Sequence, residues 1–330
     1  MGEHSKMLHY NKNNTTHDIK LYTSTDDVGE HYISINDGGM TVYAALIDVS
    51  DADASDIRVR LNGTTYAVAT QYSSIDLSSE AGLLLQRTRA GTHTQYYNVG
   101  DYFEIKLNGK LSDGLTMNNE TYRAVIVGFD HNKDLETGGQ YSTTLALCQD
   151  TSGTQIAFVD SKVITDVSSG SYFAHHLKSE TNAGGWSASN IRNSIMPNFF
   201  NALPTAWQNV IGTVTKYTDN VANGSTSEAN VTATSEKLFL PSEYEISTFK
   251  DYSNSGESSK QQRYSYFNNW RTDSTLFARK RHNNVKTNVS WWTRSPYPST
   301  TNQWVSIVTN YLQNTNGYRS LGIVPFFNVF

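Results

Sequence analysis

Three features of the 330-residue sequence predict an α+β fold preceded by a small all-β module. Hydrophobic residues make up 37% and charged residues 17%, and Asn, Ser, Thr, Gly and Tyr fill much of the rest. Asn and Gly supply turn geometry while Tyr and Thr suit pleated surfaces, so this mixture favours short strands with many turns. Asp56–Leu61 alternates charged and apolar residues with the period of a strand. Between Ile191 and Ile211, by contrast, apolar residues recur at helical spacing.

The β module occupies the chain to about residue 90. Thr41–Ile47 reads as a strand, and Asp56–Leu61 runs into Asn62-Gly63, the strongest short hairpin signal, with Thr64–Ala69 as the returning strand. Asp76–Gln95 reads as a connector with some helical character. The second unit, from about 91 to 330, opens at Tyr96–Phe103 and continues in strands at Phe103–Leu107, Thr121–Phe129 and Thr144–Leu147, with a polar loop around 130–141. Ser187-Ala188-Ser189-Asn190 supplies small polar capping residues ahead of Ile191, Ile195 and Phe199-Phe200, so a helix starts there, bent or interrupted at Pro197. A second short helix starts at Pro204, with Trp207, Val210 and Ile211 facing inward. Lys237–Pro241 reads as a strand, and the Ser-rich stretch from Asp251 to Lys260 as a surface loop.

The formal net charge of −5 hides an asymmetry: all 31 acidic residues and 20 of the 26 basic ones lie within 1–273. Asp273 is the last acidic residue, and beyond it stand Arg279, Lys280, Arg281, Lys286, Arg294 and Arg319. Such a tail either attracts an anionic partner, such as a charged cell-wall polymer, or pairs with acids elsewhere in the fold, for example Glu243, Glu245 and Asp251. The lone Cys148 sits in an apolar run, which excludes an intramolecular disulfide framework and multi-cysteine metal sites and reads as a small buried residue. No segment approaches the roughly 18 apolar residues of a membrane span, and the start of the chain lacks the apolar core of a signal peptide. A surface-type composition without an export signal is expected of a protein that leaves its cell by lysis.

The most informative stretch is Val289–Pro296, with Trp291-Trp292, Arg294 and Ser295-Pro296; it pairs large buried area with a guanidinium whose donors must be satisfied. The segment closes with Gly317–Phe327, read as an apolar strand. The order VGDYF, YRAVIVGFDHN, SNIRNSI followed by NFFNALP, KLFLPSEYEI, SWWTRSP and GIVPFFNV resembles, over about residues 96–330, a domain family of gut bacteria and their phages. That family carries a WW-x-RSP motif and a terminal GVRPAF-like strand, and its members resemble the C-type-lectin-like variable proteins diversified by retroelements. This chain has Ile323-Val324-Pro325 where Val-Arg-Pro is usual, so any role of that arginine does not carry over. In the N-terminal part, Leu21–Thr25, Tyr43-Ala44 and the Val59–Val68 hairpin are similar to a module of phage minor structural proteins. The resemblance implies a C-type-lectin-like C-terminal domain with a variable segment at about 290–320, behind an N-terminal module for virion attachment or oligomerisation.

Between Arg294 and Arg319 there is no charge, and 14 of the 24 residues from Tyr297 to Ser320 are Asn, Ser, Thr or Tyr. These types serve antibody loops as rigid amphipathic area and adaptable hydrogen bonding, and they match what adenine-directed mutagenesis of Asn and Tyr codons gives. In Gln303–Val308, Val305 and Ile307 alternate with Trp304 and Ser306, which predicts one core face and one displayed face. The expected ligand surface is Tyr297, Asn302, Trp304, Ser306, Asn310, Tyr311, Gln313, Asn314, Asn316 and Tyr318.

The function expected from these readings is non-catalytic: a phage structural protein, located in the virion, that presents this surface to a bacterial surface protein or glycan. Other virion proteins, or further copies in a trimer, are the expected partners of the N-terminal module; nucleic acid, membrane insertion, metal and cofactor are not expected. A purely structural virion protein shares fold and composition and stays open. A tail-associated glycan hydrolase needs two carboxylates flanking a sugar bond, and no motif singles out a pair among Asp101, Glu104, Asp130, Glu180, Glu243 and Glu245. An oxidase related to formylglycine-generating enzymes needs a cysteine pair. Calcium-dependent sugar binding needs oxygen ligands that an acid-free tail lacks, and His175-His176 and His282 have no metal-site spacing.

Overall fold

The computed structural model describes residues 79–330, apart from 132–135, 137–139, 164, 271, 277–279, 284–288 and 309–310, and the backbone of six strands nearer the N-terminus. The chain divides into two compact units, Met1–Gln86 and Arg87–Phe330. The first contains β1 (Met7–Lys12), β2 (Thr15–Thr23), β3 (His31–Asp37), β4 (Met40–Asp48), β5 (Ile57–Leu61) and β6 (Thr64–Val68). They form one antiparallel sheet in the order β1-β2-β3-β4-β6-β5. β5 and β6 pair with Leu61 opposite Thr64, as a two-residue hairpin requires; the Asn62-Gly63 turn itself lies outside the described residues.

The second unit mixes helices with antiparallel sheets, so the α+β class holds. Its largest sheet uses β7 (Tyr102–Ser112), β8 (Leu115–Phe129) and β9 (Thr143–Gln149). A short β10 (Ile156–Ala157) follows, then β11 (Val214–Asp219), β12 (Val231–Glu236) and β13 (Leu238–Phe239). The remainder are β14 (Lys280–Arg281), β15 (Trp291–Pro296), β16 (Gln303–Val308), β17 (Tyr311–Asn316) and β18 (Phe326–Val329). The large sheet runs β13-β18-β9-β8-β7, so the last strand is inserted between two earlier ones. That position explains its composition: Phe326, Phe327 and Val329 are buried, and Asn328 accepts a hydrogen bond from the buried Thr144 hydroxyl at 2.5 Å. β15, β16 and β17 form a second antiparallel sheet with β16 in the middle.

The helical stretch begins at Gly185–Ala188 and continues through a π-helical turn at Ile191–Ile195 into the α-helix Met196–Ala202. Pro197 falls in the first turn of that α-helix, where its missing N–H costs least, and the hydrogen-bond pattern changes just ahead of it. Ile191, Ile195 and Phe199 are fully buried, as their spacing predicts. Trp207 and Val210 are buried in the short helix Thr205–Val210.

Asp251–Lys260 departs from the expected surface loop. Asn254, Gly256 and Glu257 are buried, because the segment wraps the Glu243 carboxylate. That carboxylate accepts the backbone N–H groups of Asp251, Tyr252 and Ser253, so a Ser-rich sequence is stable inside once its polar groups find internal partners. Cys148 is buried on β9, and burial pushes its thiol up, which makes it inert as a nucleophile.

Candidate functional site

The motif residues meet in the interior. Trp291, Trp292 and Arg294 of β15 are all buried. Arg294 donates to Glu245 Oε2 at 2.5 Å, to the Leu240 carbonyl at 2.8 Å and to Thr218 Oγ1 at 2.8 Å. Glu245 is itself fixed by a capping box, in which Ser242 Oγ accepts the Glu245 N–H and Glu245 Oε2 accepts the Ser242 N–H. The Ser242-x-x-Glu245 spacing was the readable signal for the start of the short helix Glu243–Ser247. Lys216 Nζ stands 2.9 Å from Glu245 Oε1 and 2.6 Å from Glu136 Oε2. Burial alone would raise the Glu245 carboxyl, but the Arg294 and Lys216 charges outweigh it and hold it well below the usual carboxylate range. His131, Glu136 and Glu245 lie close enough together to suggest a metal site. The Lys216 ammonium already supplies the positive charge between the two carboxylates, so these residues do not fit a metal.

Of the basic tail, Arg294 pairs with Glu245 and Lys280 with Asp150, while Glu243 is held by backbone N–H groups instead of a cation. These pairs favour internal neutralisation for those two cations.

The sequence-predicted ligand surface is divided. Trp304 is 1% exposed and Ser306 0%, which corrects the expectation that both are displayed. Alternation does place them opposite Val305 and Ile307, yet all four are buried, because β16 is a central strand covered on both faces. The pairs Ser306 with Gln313 and Val305 with Asn314 put Gln313 on the Trp304 face of the sheet and Asn314 on the other, with Asn316. Asn314 donates to Gln303 Oε1 at 3.0 Å, and Ser306 shares a 2.9 Å hydrogen bond with Thr315. Tyr311 is 51% exposed; Tyr297, Asn302, Gln313, Asn314, Asn316 and Tyr318 are half-buried. Asn310 lies outside the described residues.

Trp304, Asn302 and Tyr318 come together with residues that no motif announced. The His175 ring stacks on Trp304 with centroids 3.6 Å apart and planes 2° from parallel. His175 Nε2 lies 3.1 Å from the Thr293 carbonyl, to which it must donate, so Nδ1 is the acceptor nitrogen of the ring. Burial, with a smaller contribution from His176, keeps this imidazole neutral. Neither His175 Nδ1 nor Trp304 Nε1 has a hydrogen-bond partner among the described residues. His176 contacts the Asn302 carbonyl through Nε2 at 3.3 Å and the Leu177 carbonyl through Nδ1 at 2.9 Å, and its ring lies 6.1 Å from that of Tyr318. Asn182 is buried and anchors the loop after β15: its Nδ2 donates to the carbonyls of Thr300 and Gln303, each at 3.0 Å. Gly317 lacks a Cβ where one would strike Trp304 and His176.

His175, His176, Asn182 and Trp304 line a cleft of about 480 Å³, completed by Ser179, Glu180, Thr181, Ala183, Gly185, Ala188 and Ser189. Its lining includes the hydroxyl side chains of Ser179, Thr181 and Ser189 and the Asn182 amide, and Glu180 is the lone carboxylate among these residues. Such a wall can exchange hydrogen bonds with a neutral polar ligand and offers little to an ion.

The domain of unknown function DUF6273 matches residues 159–329, a span that contains the cleft, the Arg294–Glu245 pair and β15 to β18. No curated protein and no solved structure matches the chain.

Proposed function

The chain belongs to the DUF6273 family, and from its own geometry we propose a non-catalytic recognition module that binds a neutral, hydroxyl-rich ligand in the His175–Trp304 cleft. The observation that carries this reading is the wall of the cleft, where the exposed side chains of Ser179 and Thr181 share the lining with the buried, stacked His175–Trp304 pair. A serine or threonine hydroxyl in such a wall both donates and accepts, so it can trade hydrogen bonds with the hydroxyls of a neutral ligand. The ligand class is then a glycan of a bacterial surface, and the module is C-type-lectin-like in plan and displayed on a phage particle. The absence of catalysis is supported by two carboxylates weighed above: Glu243 and Glu245 are 0% exposed and their oxygens are occupied by protein donors.

Calorimetric titration of the purified chain with host-surface oligosaccharides tests the proposal. Ser179→Ala removes one hydroxyl from the exposed wall of the cleft and leaves the His175–Trp304 stack in place. It should weaken binding roughly threefold to tenfold, the worth of one hydrogen bond, with an unchanged melting temperature. Glu180→Gln should leave affinity nearly unchanged. No binding to any glycan tested, or equal binding by the folded Ser179→Ala variant, would overturn it.

A further inference from the structure

Lys216, on β11, is wholly buried. Its Nζ lies 2.6 Å from Glu136 Oε2, 2.9 Å from Glu245 Oε1, 3.1 Å from Tyr264 Oη and 4.4 Å from the centre of the Phe239 ring. The two carboxylates differ. Glu245 is also bound to Arg294 and to the Ser242 N–H, which keep it ionised. Glu136 Oε1 is buried with no partner among the described residues, and burial, opposed by Lys216, pushes this carboxyl up to about 6. An amine, a carboxyl that readily takes a proton and an ionised carboxylate therefore face one another in an aromatic, water-poor pocket.

We propose that Lys216 and Glu136 condense into an intramolecular isopeptide bond, with Glu245 as the proton-transfer group. The Lys216 ammonium first gives a proton to Glu136 Oε2, leaving a neutral amine and a carboxylic acid. The amine lone pair then attacks Glu136 Cδ, forming the N–C bond. Glu245 Oε1 takes a second proton from the nitrogen and returns it to the departing hydroxyl, so the C–O bond breaks and water leaves. The third hydrogen stays on nitrogen as the amide N–H. An ammonium and a carboxylate thus become one amide and one water, with no oxidant, reductant or cofactor required.

Two physical terms favour the reaction. A positioned amine and carbonyl reach effective concentrations on the order of 10⁵–10⁸ M, far above any second reactant in solution. The product also replaces a desolvated ion pair by a neutral amide, so an interior that penalises charge drives the condensation forward. The resulting bond ties the segment between β8 and β9 to β11.

Mass spectrometry of the full chain, denatured after purification, tests this directly. The expected mass is one water below that of the sequence, and proteolysis should release a branched peptide joining Lys216 to Glu136. Glu136→Ala and Lys216→Met should each show the full mass of their own sequence. Glu136→Gln should end at the same mass as the reacted wild type, because ammonia leaves in place of water. A wild-type chain at its full sequence mass overturns the proposal whether or not any variant folds, and so does a branched peptide joining Lys216 to Glu245.

Discussion

Replacing Arg294 with methionine should remove a large part of the stability of the Arg87–Phe330 unit. Methionine fills much of the space but donates nothing. Glu245 would lose its 2.5 Å partner, and the Leu240 carbonyl and Thr218 hydroxyl would each lose a 2.8 Å donor. Breaking a buried ion pair from one side costs about 3–5 kcal/mol, since the remaining charge stays desolvated, and a stranded carbonyl adds about 1 kcal/mol or more. The total, about 4–6 kcal/mol, is comparable to the whole stability of an ordinary domain, about 5–15 kcal/mol. Urea unfolding followed by tryptophan fluorescence reports on this unit alone, because all 6 tryptophans fall after residue 87. Adding Glu245→Gln removes the stranded charge, so the double variant should be more stable than the sum of the singles by about 1 kcal/mol or more. A cost below about 1 kcal/mol for Arg294→Met, or strict additivity, would refute the idea that this pair holds β15 to the rest of the unit.

Three further outcomes are expected. Trp304→Ala should cost about 3–5 kcal/mol, whereas Tyr311→Ala, at a half-exposed position, should change stability by no more than about 0.5 kcal/mol; thermal melts distinguish them. Burial pushes Glu257 up to about 8 from an ordinary 4.5, so the folded chain keeps a proton that the unfolded chain gives up. The associated stability is complete below about 4.5 and is lost as pH rises toward 8, by about 1.4 kcal/mol per unit. Glu243, raised to about 7, ends its contribution earlier, so Glu257→Gln should flatten the decline that urea titrations detect between pH 7 and 8. Gly185→Ala should prevent stable folding, because φ is +49° and a Cβ would strike the Asp219 carbonyl; Gly224→Ala, also at positive φ but in open space, should cost only about 1 kcal/mol, as circular dichroism melts would register.

Much of the second unit was legible in the chain. The strands expected at Phe103–Leu107, Thr121–Phe129 and Thr144–Leu147 fall within β7, β8 and β9, helical spacing located the buried faces of Ile191, Ile195 and Phe199, and the bulk of Trp291 and Trp292 marked them as core. His175 and Asn182 carried no such signal. Their roles depend on carbonyls more than a hundred residues away, Thr293 for one and Thr300 and Gln303 for the other, and no local pattern encodes such a meeting.

The sequence by itself determined the α+β class, the places of β7, β8 and β9, and the opposite directions of neighbouring side chains along β16, because those follow from side-chain period and turn chemistry. Tertiary structure alone decided which faces are wet. Alternation separates Trp304 and Ser306 from Val305 and Ile307, but it says only that they point in opposite directions. Flanked by β15 and β17, with the His175 ring laid over Trp304, the middle of β16 has no solvent face, so the residues expected to meet a ligand became part of the core and only the cleft beside them remained open.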